Sequence, residues 1–154
     1  MRCRRTRTSC AVNPLSFPEI LLVQISFQKI SLNADRSADL FYSRLFKFDA
    51  ALRNLIKTDF FAQKRGFIRL LGIVVHRLDC FDLVRDHFAE LALSYPEVNE
   101  SEQRHRSIGA ALFWMLEEIL EDDFTPACRA AWMTIFRTLS DELKVRTAAL
   151  AVAS

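Results

Sequence analysis

The sequence predicts an all-α protein of one domain, on three observations. Its 154 residues suit a single domain and leave little room for two. It holds only three Gly and four Pro, under half of the roughly 12% these residues make up in average usage. An all-β chain needs turn residues far more often than that. From Pro18 onward the apolar residues recur at helical spacing, in segments parted by polar breaks. A composition of 51% hydrophobic and 26% charged residues is ordinary for a globular protein and unlike a disordered one. A domain of this size buries roughly 70% of the surface its unfolded chain exposes, so a core forms without disulfide staples.

The segments follow in order. Residues 18–31 read as a first helix, with Pro18 in its opening turn, where a missing N–H costs nothing. Asn33 or Asp35 is placed to cap a second, carrying Leu40, Phe41, Leu45 and Phe46. After the polar connection Lys57-Thr58-Asp59 comes a long apolar helix with Phe60, Phe67, Leu70, Leu71, Val74 and Val75. Residues 81–95 carry Leu83, Val84, Phe88 and Leu91, and Pro96 stops that helix near Tyr95. Asn99 with Glu102 three residues later has the form of a capping box. Behind it Ile108, Ala111, Leu112, Met115, Leu116 and Ile119 form one apolar stripe. Thr125 then caps a last helix opened by Pro126, with the stripe Trp132, Ile135, Phe136, Leu139 and Leu143. The domain is read as 18–147, between a basic arm over 1–17 expected to be disordered and a frayed alanine-rich end over 148–154. Periodicity alone leaves two architectures open, an antiparallel bundle or helices crossing steeply around a pocket.

Charge and cysteine usage narrow the function classes. Arg2, Arg4, Arg5 and Arg7 precede the first acid at Glu19, and subtracting these four from the net +2 leaves −2 for the rest. Nucleic acid is therefore not an expected partner of the folded part. No stretch approaches the ~20 apolar residues that span a bilayer, and Ile20-Leu21-Leu22-Val23 is too short for a secretory signal. The expected location is cytoplasmic, with Cys3, Cys10, Cys80 and Cys128 as reduced thiols. His76 and Cys80 sit one helical turn apart, but no second ligand pair accompanies them, so zinc is not expected.

Several motifs, taken in order, resemble the bacterial single-domain globins, relatives of the globin half of flavohaemoglobins. Leu40-Phe41-Tyr42-Ser43-Arg44-Leu45-Phe46 is similar to the Leu-Phe-Tyr-x-x-Leu-Phe of that family's second helix. Asp49-Ala50-Ala51-Leu52-Arg53-Asn54-Leu55-Ile56-Lys57 is similar to the Asp-Pro-x-Leu-Arg-x-Leu-Phe-Lys corner that follows. The run from Ile108 through Leu116 resembles the Val-Gly-x-x-Leu-Leu-x-x-Leu of the penultimate helix, and Phe124-Thr125-Pro126 with Ala131-Trp132 the opening of the last. The resemblance covers about Ile20 to Leu143 with almost no gaps. It implies a globin-like fold of six to eight helices around a candidate haem pocket.

The resemblance also assigns pocket positions. Tyr42 and Gln63 fall at the family's distal tyrosine and glutamine, fixed donors beside a bound gas. Ile56 stands where the family has a corner phenylalanine against the haem face. The proximal histidine is replaced by Tyr95 in both directions of counting, from Gln63 and from Ile108. His87 lies two turns earlier, about 12 Å at the helical rise, and His105 falls where relatives have a tyrosine that braces the proximal residue. A phenolate is an anionic ligand known for haem, and His105 is placed to take its proton. The other reading of Tyr95 is an ordinary buried tyrosine at a helix end. The candidate cofactor-binding residues are thus Tyr42, Ile56, Gln63, Phe67, Tyr95 and His105, with Tyr95 the candidate metal ligand. Lys64 and Arg65 are candidates to meet haem propionates.

The functional expectation is a protein that binds haem b and binds or senses oxygen or nitric oxide, with Tyr95 in place of the proximal histidine. The alternative is a haem-free globin fold serving as an interaction or signalling module, its pocket filled by Phe60, Phe67 and Phe88, with a protein partner or a homodimer through the last two helices. Catalysis such as nitric oxide dioxygenation or peroxidase-like chemistry ranks third, since dioxygenation calls for a reductase.

Overall fold

The computed structural model describes residues 13–55, 60–94 and 102–153, and its side chains over 13–53, 64–87, 102–142 and 144. Helix α1 spans Phe17–Leu32. Its start is fixed by a reciprocal box: Ser16 Oγ accepts from Glu19 N at 3.4 Å while the Glu19 carboxylate accepts from Ser16 N at 3.1 Å. Asn33 follows, and its Nδ2 donates back to the Lys29 carbonyl at 2.9 Å. That side chain thus closes α1 and makes no cap for α2, Ala34–Phe48. The N-terminus of α2 carries Asp35 in its first turn, a carboxylate at the positive end of the helix dipole.

A one-residue break at Asp49 leads to α3, Ala50–Leu55. Helix α4 spans Phe60–His76, and a 3-10 turn over Leu78–Cys80 connects it to α5, Phe81–Ser94. Helix α6 spans Glu102–Leu120; its expected cap Asn99, like the connection Lys57–Asp59, lies outside the described residues. A second 3-10 turn, Glu121–Asp123, precedes α7, Pro126–Ala153. Thr125 Oγ1 accepts from Cys128 N at 3.2 Å, and Pro126 occupies the first helical position. The helix runs on through 148–153, beyond the boundary at 147 read from the sequence. Alanine carries the lowest helical cost of any residue, so an alanine-rich end prolongs a helix already under way.

Among the described residues there is no strand. Helix α2 packs along α6 and α4, α1 lies across α7 and α4, and α5 rests on α7. This all-α arrangement is consistent with the globin-like fold expected from the sequence. Its core is continuous: Val23 and Ile30 of α1, Val75 of α4, Met115, Leu116 and Leu120 of α6 and Trp132 of α7 are almost fully buried. Two polar links cross this core. Trp132 Nε1 donates to Ser26 Oγ at 2.9 Å, and that hydroxyl donates to the Val23 carbonyl at 2.8 Å. Arg104 at the start of α6 donates from Nε to Asp49 Oδ2 at 3.0 Å, tying α6 to the break between α2 and α3. The Phe136 ring of α7 fills the space a side chain at Gly109 of α6 would take, since a Cβ there would stand 2.7 Å from two of its ring atoms.

The residues just before α1 join the fold: Leu15 is buried and Asn13 Nδ2 donates to the Leu78 carbonyl at 2.6 Å. Two turns of the chain are thereby brought together at the 3-10 turn that holds Cys80. The expectation of four reduced thiols fails there, because Cys80 is disulfide-bonded. Spacing along the sequence had no means of showing this, since the pairing depends on how distant segments dock. Cys128 is free and buried, and burial pushes its thiol up from the usual range.

Candidate functional site

Helices α2 and α4 bring two of the expected pocket residues together. Tyr42, on the inner face of α2, is 6% exposed. Phe67, on α4 and half-buried, meets it at 5.8 Å between ring centroids, with planes 69° apart. Phe67 also stacks on Phe41 at 4.0 Å and 9°. Phe41 in turn stands edge-on to Tyr42 at 5.1 Å, and Phe46 packs against Tyr42 at 5.9 Å. The spacing Phe41–Tyr42–Phe46 on one helix and the α2–α4 crossing produce this cluster: neighbouring and i+4 positions flank Tyr42, and the crossing helix supplies the fourth ring. Such aromatic pairs contribute about 0.5–1.5 kcal/mol each beyond their burial. The result is an apolar wall that contains one phenol, a hydrogen-bond donor held in low-dielectric surroundings.

His105 belongs to a different contact. It is 7% exposed on α6, and its Nδ1 lies 3.1 Å from Ser140 Oγ on α7. Burial pushes its pKa below the ordinary histidine value, the nearby Lys144 ammonium adds to that shift, and the Glu102 carboxylate opposes it. Glu102 is held below the usual carboxylate range by its hydrogen bond from Lys144 and by the Lys144 and Arg106 charges. His105 is therefore neutral near pH 7 and acts as a hydrogen-bonded core residue between two helices.

Of the remaining candidates, Ile56 and Tyr95 lie outside the described residues. Gln63 lies on α4 one turn before Phe67, its side chain outside the description, as are those of Phe60 and Phe88. Lys64, a candidate for a propionate, forms an ion pair with Asp39 of α2, while Arg65 is exposed. His76 is exposed, its ring edge-on to Phe27 at 5.9 Å. Sequence reasoning did not single out Phe41 as the stacking partner of Phe67, nor Ser140 and Asp39 as the partners of His105 and Lys64. The signal for Phe41 was present, as an aromatic directly beside Tyr42. Those for Ser140 and Asp39 were not, because each contact joins residues on two different helices, whose packing local sequence does not show.

A haem face demands a flat apolar wall and, on the gas side, a donor. Phe67 and Tyr42 are side chains of these two kinds, a flat apolar ring and a phenol donor in contact with each other. Among the described residues no group of three His, Cys, Asp or Glu is placed to hold a metal ion, and no helix is long and apolar enough to cross a membrane.

No family model matches the chain. The chain is similar to neuroglobin of Danio rerio, at 22% identity over 129 residues that cover 75% of this chain and 81% of that protein. That likeness spans most of both chains and supports a globin-like relationship, in agreement with the helix arrangement.

Proposed function

We propose that this chain is a globin-family haem protein that binds or senses oxygen or nitric oxide. The observation that carries the reading is the Tyr42–Phe67 contact, which puts a phenol and a flat ring on one wall between α2 and α4. The neuroglobin likeness supports it at the level of the family, and the motif order from Leu40 to Trp132 favours the bacterial single-domain branch. Haem, when bound, supplies an iron site for a diatomic gas. In this reading Tyr42 and Gln63 offer hydrogen bonds to the gas, and Phe67 and Ile56 lie against the macrocycle. Tyr95 would be the iron ligand, and His105 would take its phenol proton. The His105 contact with Ser140 holds that imidazole in one orientation, as a residue acting through another must be held. The experiment is oxygen release from the ferrous protein. Tyr42→Phe removes one hydrogen bond and is expected to speed release about tenfold, which corresponds to ~1.4 kcal/mol; an unchanged rate removes Tyr42 from the gas-binding role.

One observation favours a second reading, a haem-free interaction module. Phe41 and Phe67 already fill the space between α2 and α4 by stacking on each other, as a pocket closed by its own side chains would. A folded, helical protein whose absorption spectrum with haemin equals that of free haemin would favour this reading.

A further inference from the structure

Helix α1 is apolar on two faces. Its inner face, Ile20, Val23, Phe27 and Ile30, is buried against the rest of the domain. Its outer face carries Phe17, Leu21, Ile25 and Leu32, with exposures of 71%, 41%, 63% and 86%. A helix that is hydrophobic all round is normally covered on both sides, and here one side is open. The four side chains present on the order of 450 Å² of apolar surface, within the range of the largest patch on a typical monomer and large for one helix.

We infer that this face is the contact between two copies of the chain, paired through antiparallel α1 helices about a two-fold axis. The first argument is charge. Phe17, Leu21, Ile25, Gln28 and Leu32, the exposed positions along the stripe, include no ionised group. When such a face meets its own copy no charge is buried without a partner, so an uncharged stripe suits self-pairing. The second is register. An axis passing between Gln24 and Ile25 sets Phe17 against Leu32 of the second copy and Leu21 against its Gln28. The two Ile25 side chains then meet beside the axis, and the most exposed residue at one end of the helix covers its counterpart at the other. The third is area. Two such faces, with Pro18, Gln28 and the rim around them, reach the ~1,000 Å² that a specific interface needs. The surface is independent of the Tyr42–Phe67 wall, so the inference stands whether or not haem is bound.

Sedimentation of the full chain at graded concentrations tests it. The mass is expected to rise from one chain to two. Ile25→Arg places two guanidinium groups side by side at the axis and is expected to weaken the dimer by tenfold or more. Leu83→Arg, an exposed apolar position on α5 away from the stripe, is expected to leave it unchanged. Because Ile25 faces water in the single chain, the thermal melt of Ile25→Arg serves as the check that its fold is intact. An Ile25→Cys variant is expected to form an inter-chain disulfide under mild oxidation. A wild-type chain that stays a monomer at every concentration overturns the inference, as does a dimer indifferent to Ile25→Arg. A monomer that sediments with phosphatidylcholine vesicles through Phe17 and Ile25 overturns it in favour of a lipid surface.

Discussion

Phe67 stacks on Phe41 with ring centroids 4.0 Å apart and planes 9° from parallel, and from that position it also meets the buried ring of Tyr42. One side chain of α4 thereby sets where two side chains of α2 stand. The same contact bears on both functional readings: it forms a flat wall beside a phenol, and it occupies space between two helices. The choice between them rests on whether a large planar ligand is accepted on that wall.

The seat of the Phe136 ring against Gly109 gives the first prediction. A Cβ on Gly109 would stand 2.7 Å from two atoms of the Phe136 ring, whereas one on Gly66 meets nothing within 4 Å. Gly109→Ala is expected to destabilise the fold by about 1–3 kcal/mol, as overpacking does, more than the ~1 kcal/mol that alanine contributes to helix propensity. Gly66→Ala, in an exposed helical turn, is expected to stabilise by ~0.5–1 kcal/mol. Urea unfolding of the pair against wild type checks both signs.

The helices were largely legible in the sequence because each carries its own punctuation. Thr125-Pro126 opens α7 as read, and five of the six residues of the α6 stripe are buried, with Ile108 partly so. The box at Ser16 and Glu19 is equally legible, as a Ser followed three residues later by Glu, and it stands together with Pro18 in the first turn. Asn33 misled for a physical reason: an amide between two helices either caps the next or closes the last, and local sequence does not distinguish these. The site was less legible than the fold. Tyr42 and Phe67 meet between α2 and α4, Lys64 pairs with Asp39 and His105 with Ser140. The last two contacts join residues on different helices, where periodicity carries no information. The open face of α1 was likewise invisible, since apolar residues lie all round that helix and mark no outer side.

The buried link between α1 and α7 is a second point of test. Ser26 Oγ is the acceptor for the indole N–H of Trp132, a side chain only 1% exposed. Ser26→Ala leaves that donor only the weak acceptor of the Cys128 sulfur beside it and is expected to cost about 1 kcal/mol. Chemical unfolding followed by tryptophan fluorescence measures it. A loss below a few tenths of a kcal/mol would mean that the indole finds another acceptor.

His105 makes stability depend on pH in a defined window. Its folded pKa lies below the 6.5 of the unfolded chain because burial disfavours the imidazolium. In the window between the two values the unfolded state binds more protons, so stability rises with pH there. Acidification from pH 7 is therefore expected to lose stability from about pH 6.5 downward, by at most ~1.4 kcal/mol per pH unit from this group. The loss ceases to grow below the folded pKa. Glu102, whose folded pKa is depressed from 4.5, adds its own loss only at lower pH. Urea midpoints at pH 7.5, 6.5 and 5.5 are expected to fall in wild type and to stay nearly level in His105→Gln.

The most direct measurement is an absorption titration of the purified full chain with haemin, oxidised and then reduced under carbon monoxide. The account predicts a Soret band that saturates at one haem per chain and that changes in position or is lost in Tyr95→Ala. A spectrum that remains that of free haemin, on a chain that is helical and melts cooperatively, would contradict it.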